Sequence, residues 1–235
     1  MDDAAYRNAV TEIVERFGTP TYVYDLRVVE QRADEVLRAL SKCARFEALY
    51  AIKANCTPAV VKVLLKKGFG IDAVSPGEVM LALRLGCAAE RIMFTENNAT
   101  EEELRWALEQ GVTVNCGSLH SLRTVKRLAH QRGEQVKVAV RFNPDVGDAE
   151  CAKTLTAGPL AKFGVHFSLV SQVAALEDDV LRVTCAHMHI GSNILDVVRR
   201  SDGRHRGHSD AATSSGRCGF RWRTGRAVLW PERAF

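Results

Sequence analysis

The sequence predicts an α/β fold built from repeated strand–helix units around a parallel sheet. Short β-rich runs alternate with longer stretches of helical apolar period. The first five runs in the repeating series start 24, 21, 21 and 24 residues apart, the length of a βα unit. Polar residues with chemical potential fall at the C-terminal ends of these runs, the face on which α/β folds build their sites.

Taken in order, Asp3–Phe17 reads as an N-terminal helix and Thr21–Tyr24 as a strand ahead of the series. The repeating strands are Phe46–Tyr50, Gly70–Ala73, Arg91–Phe94, Val112–Asn115, Val136–Arg141 and, after a longer interval, Val183–His189. The helix beginning at Pro58 has proline in its first turn after Thr57 and stops at Gly68. Thr100 caps three successive acids, and Gly111 closes that helix. Ser118 opens a helix with Leu119, Leu122, Val125 and Leu128 at helical spacing. A polar loop over 142–164 and a helix near Ser168–Leu176 fill the long interval. Right-handed crossovers then give a parallel sheet, either open or closed into a (βα)8 barrel, and the spacing does not separate the two. A full barrel needs eight strands, and six are visible in the series.

Composition narrows the class. The 235 residues are 46% hydrophobic and 26% charged, which excludes disorder throughout, collagen and a small disulfide scaffold. No apolar run nears the ~18 residues needed to cross a bilayer. The acidic start lacks an apolar signal core, so a cytoplasmic protein is expected. The seven cysteines, at 43, 56, 87, 116, 151, 185 and 218, form no C-x-x-C pair. Neither zinc nor a disulfide framework is supported, and a reducing compartment fits.

The net charge of +4 is unevenly spread. Residues 1–196 carry 23 Lys+Arg against 25 Asp+Glu, a net of −2, whereas 197–235 carry 9 Arg against 3 acids, a net of +6. The body is therefore not expected to bind nucleic acid, and no membrane partner is expected either. The segment 197–235 has no sustained period of 2 or 3.6. It reads as a basic arm for an anionic partner or as sequence never selected to fold, such as the product of a shifted reading frame. The second is preferred, and predicts an unrelated, disordered tail. The expected organisation is an N-terminal helix over 1–17, an incomplete barrel domain over 18–196 and the tail over 197–235.

Lys53, in Tyr50-Ala-Ile-Lys-Ala-Asn55, stands among small and apolar neighbours at a strand end. Desolvation there would favour a neutral nucleophilic amine suited to imine chemistry, whereas the plain alternative is a surface lysine. In His189-Ile-Gly-Ser192 the imidazole offers a stacking plate, Gly191 permits close approach of backbone to a phosphate and Ser192 can donate to it. A strand histidine with a satisfied hydrogen bond is the plain alternative. Arg141 suits an anion or phenolate, or a surface ion pair. Asp72 suits a cation in the site, or a cap for the helix starting near Ser75. Lys162-Phe-Gly164 either orders a loop over the site or is an ordinary turn, and Asn97-Asn98 is turn chemistry.

Together these motifs form a recognisable series. Tyr50-Ala-Ile-Lys-Ala-Asn55, Gly70-Ile-Asp-Ala-Val-Ser-Pro-Gly-Glu78, Arg141-Phe-Asn-Pro144, Lys162-Phe-Gly164 and His187-Met-His-Ile-Gly-Ser192 occur in this order. Over residues 18–196 the chain resembles the fold-type III decarboxylases that use pyridoxal 5′-phosphate (PLP), the diaminopimelate, ornithine and arginine decarboxylases, with diaminopimelate decarboxylase nearest. The resemblance implies a partial (βα)8, alanine racemase-like PLP-binding barrel with most of a C-terminal β-domain missing. It implies that Lys53 binds the cofactor covalently, that His189 stacks on the pyridine ring and that Ser192 contacts the phosphate. Asp72 and Arg141 match positions near the cofactor. It also implies decarboxylation of a basic or diamino acid in lysine biosynthesis, with meso-diaminopimelate giving L-lysine as the leading case, and a homodimer.

The family carries further groups later in its chain. They are a glycine-rich phosphate loop, a Glu-Pro-Gly-Arg segment, and a cysteine and a tyrosine in the β-domain. None is found after Ser192, and Cys218 has different surroundings. A truncated chain that is inactive alone and aggregation-prone is the resulting expectation, because a partial barrel leaves strand edges unpaired. The alternative is a non-catalytic PLP-binding or decarboxylase-like partner protein.

Overall fold

The computed structural model of the chain describes residues 3–41, 46–143 and 162–189. The expectations for Ser192, the middle of the 142–164 loop and the tail over 197–235 lie outside the described residues.

Helix α1 spans Asp3–Phe17, as the sequence predicts. Thr21–Tyr24 is not a strand: its residues are exposed, with Tyr22 at 90%, and no partner strand lies beside them among the described residues. An isolated extended segment has nothing to satisfy its backbone groups except water, so β propensity alone does not make it a strand. Helix α2, Leu26–Leu40, follows. Asp25 caps it by accepting from the Arg27 backbone N–H at 3.0 Å, and Val29 and Ala33 are its buried stripe.

Among the described residues seven parallel strands make the sheet: β1 (Leu49–Ala51), β2 (Gly70–Ala73), β3 (Ile92–Thr95), β4 (Thr113–Cys116), β5 (Val136–Asn143), β6 (Val165–His166) and β7 (Leu181–Met188). The strands β1 to β5 pair in chain order, the two-residue β6 pairs with the end of β5, and β7 pairs along the length of β5. Among the described residues no pairing joins β7 to β1, so the sheet is a part of a barrel wall rather than a closed barrel. The first strand is later and shorter than the run Phe46–Tyr50 foreseen for it. β6 was not foreseen, since two residues carry no readable period.

Helices α3 (Pro58–Lys66), α4 (Pro76–Arg84), α5 (Glu101–Glu109), α6 (Leu119–Arg132) and α7 (Val170–Ala174) connect the strands. Local sequence sets their starts. Ser75 accepts from the Glu78 N–H, while Thr100 with Glu103 and Ser118 with Ser121 form reciprocal capping boxes. Gly133 ends α6 in the left-handed region at φ 63°. The apolar face of α6 is fully buried at Leu122, Val125 and Leu128, each contributing about 1.5–3 kcal/mol by leaving water. Asp178 pins the start of β7. Its Oδ1 accepts from the Val180 and Leu181 N–H groups, and its Oδ2 lies 2.8 Å from Lys126 Nζ and 2.9 Å from His130 Nε2, both on α6. Those partners hold the carboxyl well below the usual carboxylate range.

The main core lies between sheet and helices, around Ile71, Phe94, Val114, Val138, Val140 and Leu122. The opposite face of the sheet holds only a small apolar cluster of Met93, Ala139 and Cys185, with Leu49 against it. Alternation along the strands puts Asp72, Thr95, Asn115, Arg141 and His187 on that second face, above the small cluster and toward the strand C-termini. Gly70 is required by close approach. A Cβ there would stand 2.4 Å from Leu49 Cδ2 and 2.5 Å from the Arg91 carbonyl oxygen.

Candidate functional site

Parallel pairing brings all strand C-termini to one rim, and the rim is where the predicted residues meet. Lys53 lies in the one-turn 3-10 segment Ile52–Ala54 directly after β1. The Tyr50 hydroxyl braces this segment by donating to the Asn55 carbonyl at 3.1 Å, and Asn55 Oδ1 accepts from the Thr57 N–H at 2.9 Å. Burial pushes the Tyr50 phenol up to about 12, so it remains a donor. Lys53 itself is exposed. Of the two readings of Lys53, a desolvated amine and a surface lysine, the structure shows the second: Ile52 turns into the core, and the turn lifts Lys53 to the surface of the rim.

Asp72 is the third residue of β2, inside the strand rather than after it. It does not cap α4, because Ser75 does. Its Oδ1 accepts the Thr95 hydroxyl proton from β3. Burial, opposed by Thr95, Lys53 and Arg141, pushes the carboxyl up to about 6.

Arg141, in β5, is 9% exposed. Its guanidinium carbon sits 4.7 Å from the centroid of the Phe163 ring, whose other visitor is the Lys162 ammonium at 5.1 Å. Lys162-Phe-Gly164 therefore contributes packing for Arg141 and is more than a connecting turn. Burial lowers the Arg141 pKa, and the charges of Asp72 and Glu96 oppose that shift.

His187 lies opposite Arg141 in the β5–β7 register. It is 7% exposed, and its Nδ1 has no hydrogen-bond partner among the described residues. Burial, with Arg141, His189 and Lys53 nearby, lowers its pKa to about 3, so the ring is neutral. His189, directly after β7, is half-buried at the same rim. Lys53, Asp72, Arg141 and His189 are thus brought together. Ser192 is not among the described residues.

Three residues were not singled out from the sequence. Thr95 and Asn115 share the inner face with Asp72, and the Asn115 Nδ2 donates to Thr95 Oγ1 at 3.2 Å. Glu96, 5% exposed, accepts from the Gly117 N–H at 2.7 Å and the Ala99 N–H at 3.3 Å. Their signal was polarity at the ends of otherwise apolar strands, Ile-Met-Phe-Thr-Glu and Thr-Val-Asn-Cys, one strand apart.

Among the described residues no group of three His, Cys, Asp or Glu side chains is placed to hold a metal. The arrangement instead offers an amine, a buried cation, two imidazoles and a buried carboxyl around one rim. That set suits an anionic, aromatic carbonyl ligand, and the buried Nδ1 of His187 has no partner among the described residues that would compete for it. No helix among the described residues is long and apolar enough to cross a membrane.

Comparison with known proteins places the chain by family and fold. Residues 26–205 match the family described as pyridoxal-dependent decarboxylase, pyridoxal binding domain. A diaminopimelate decarboxylase of Methanothermobacter thermautotrophicus is 37% identical over 187 residues, covering 79% of this chain and 43% of that protein. The crystal structure of a diaminopimelate decarboxylase from Helicobacter pylori complexed with L-lysine superposes with a TM-score of 0.78 at 26% identity, covering 88% of this chain and 54% of that one. The enzyme from M. jannaschii, also in complex with L-lysine, gives a TM-score of 0.68 at 31% identity over 80% of this chain and 45% of its own. The chain spans about half the length of the relatives it matches.

Proposed function

Because the chain belongs to the pyridoxal-dependent decarboxylase family, whose cofactor is PLP, we propose that its strand-end rim holds that cofactor for decarboxylation of a diamino acid, meso-diaminopimelate, to L-lysine. The single observation that carries the reading is the convergence of Lys53, Asp72, Arg141 and His189 on one rim. The substrate rests on the names of the relatives and on the L-lysine bound in two solved structures.

Bound at the rim, PLP supplies the conjugated electron sink that lets a Cα–carboxylate bond break with release of CO2. Lys53 would hold the cofactor through its primary amine, which its exposure leaves reachable. Arg141 packs against Phe163 and would offer its guanidinium donors to an anionic oxygen. His189 offers an imidazole face for ring stacking, worth about 0.5–1.5 kcal/mol. Ser192, outside the described residues, would contact the phosphate on the strength of the sequence resemblance alone. Asp72 keeps a carboxyl beside Lys53 whose charge changes near neutrality. The neutral His187 adds no positive charge to a rim already holding Lys53 and Arg141.

The 235 residues alone are proposed to bind PLP without turning substrate over, since the match is to the pyridoxal-binding domain and spans about half of each relative. The test is a spectral titration with PLP together with CO2 release from meso-diaminopimelate, L-ornithine and L-arginine. A lysine-imine absorbance band without CO2 release is expected. No such band, or CO2 release from any of the three by the 235 residues alone, contradicts the reading.

A further inference from the structure

We propose that Thr95 and Asn115 are positioning residues, forming a two-link hydrogen-bond chain that governs the protonation of Asp72 beside Lys53. The inference deepens the reading above and rests on it for its purpose, though not for its test.

The geometry is a line of three side chains on neighbouring strands. Asn115 on β4 donates from Nδ2 to Thr95 Oγ1 at 3.2 Å, and Thr95 on β3 donates its hydroxyl proton to Asp72 Oδ1 on β2. Strand pairing sets the spacing, since Thr95 lies opposite Asn115 in the β3–β4 register. Asn115 is fully buried and Thr95 is 7% exposed, so water does not readily substitute for either link. A hydroxyl has one proton to give. With the amide of Asn115 donating to its oxygen, Thr95 is left with its proton aimed at Asp72. That arrangement matches the ionised carboxylate.

The opposite protonation state fits the same three residues. When Asp72 takes up a proton, its hydroxyl donates to Thr95 Oγ1. The Thr95 proton then turns to Asn115 Oδ1, which a half-turn of the amide brings round. No atom is gained or lost beyond the one proton on Asp72. The Oδ1 atom is buried and has no partner among the described residues, so no other donor holds the amide in its present orientation. The hydrogen-bond chain as it stands favours the ionised form, since reversing it requires the half-turn of Asn115, and so it opposes the rise that burial imposes on Asp72. The charged groups facing Asp72 are Lys53 after β1, Arg141 on β5 and Glu78 on α4. The two cations favour the carboxylate, and Glu78 opposes it.

The test is a carbon-13 carboxyl NMR titration of Asp72 in the full chain without cofactor, with the signal assigned through Asp72→Asn. Thr95→Val removes the donor at nearly constant volume and is expected to raise the Asp72 midpoint by about one to two pH units. Thr95→Ser is expected to restore the wild-type midpoint. Asn115→Ala frees the Thr95 hydroxyl and is expected to raise the midpoint by less than Thr95→Val does. An unchanged or lowered midpoint in folded Thr95→Val overturns the proposal. Should that variant not fold, an unchanged midpoint in Asn115→Ala overturns it instead. A chain that fails to bind PLP would sink the function proposed above and leave this titration standing.

Discussion

The guanidinium carbon of Arg141 lies 4.7 Å from the centroid of the Phe163 ring, so a residue from the segment before β6 forms the platform for a buried cation on β5. Burial makes the charged form of Arg141 costly, and the ring face partly offsets that cost. Phe163→Leu keeps apolar volume and removes the π face. It is expected to weaken PLP binding by about three- to tenfold with little change in fold, measured by spectral titration beside circular dichroism.

Gly164 follows that ring at φ 82°, and a Cβ there would stand 2.9 Å from the Asn143 backbone nitrogen and 3.0 Å from the Phe142 carbonyl carbon. Backbone cannot retreat as a flexible side chain can. Gly164→Ala is expected to lower stability by about 1–3 kcal/mol through strain and overlap, read as a lower urea midpoint at unchanged slope. An unchanged midpoint would mean that the segment repacks freely.

Two buried groups on the rim act oppositely on stability as pH changes. His187 falls from 6.5 to about 3 in the fold, so the unfolded chain binds a proton that the native chain refuses, and stability is lost as pH drops below about 6.5. Asp72 rises from 3.8 to about 6, so the native chain holds a proton that the unfolded chain releases, and stability is lost as pH climbs from about 4 to 6. Between about 4 and 6 the two contributions oppose each other. Asp72→Asn removes one of them. Its stability is expected to fall more steeply than wild type on going from pH 6 to about 4.5, by up to about 1.4 kcal/mol per pH unit, in urea unfolding at each pH. An equal slope in variant and wild type would show that Asp72 titrates at its ordinary value.

Much of this architecture was legible because local rules act within a few residues. Thr100 and Ser118 begin helices by capping their first backbone N–H groups, and both starts were readable from residue type alone. Gly70–Ala73 was bounded correctly because an apolar run there sits between a glycine and a helix cap. Helix α2 went unread although Asp25, Val29 and Ala33 mark it. The strand expected at Thr21–Tyr24 failed for the converse reason: its β-rich composition has no neighbour to pair with among the described residues. At the candidate site, the placement of Lys53, Asp72, Arg141 and His189 on one rim was legible from their position at strand ends. The Thr95–Asn115 link was not, because a hydrogen bond between strands depends on register. For Lys53 the sequence left a desolvated amine and a surface lysine open, because a single 3-10 turn decides between them.

The measurement closest to the central claim is borohydride reduction of the full chain with PLP, followed by peptide mapping of the labelled lysine. The account predicts one stoichiometric label, carried by the peptide containing Lys53 and lost in Lys53→Ala. Label spread over surface lysines, or retained in full by Lys53→Ala, would contradict it.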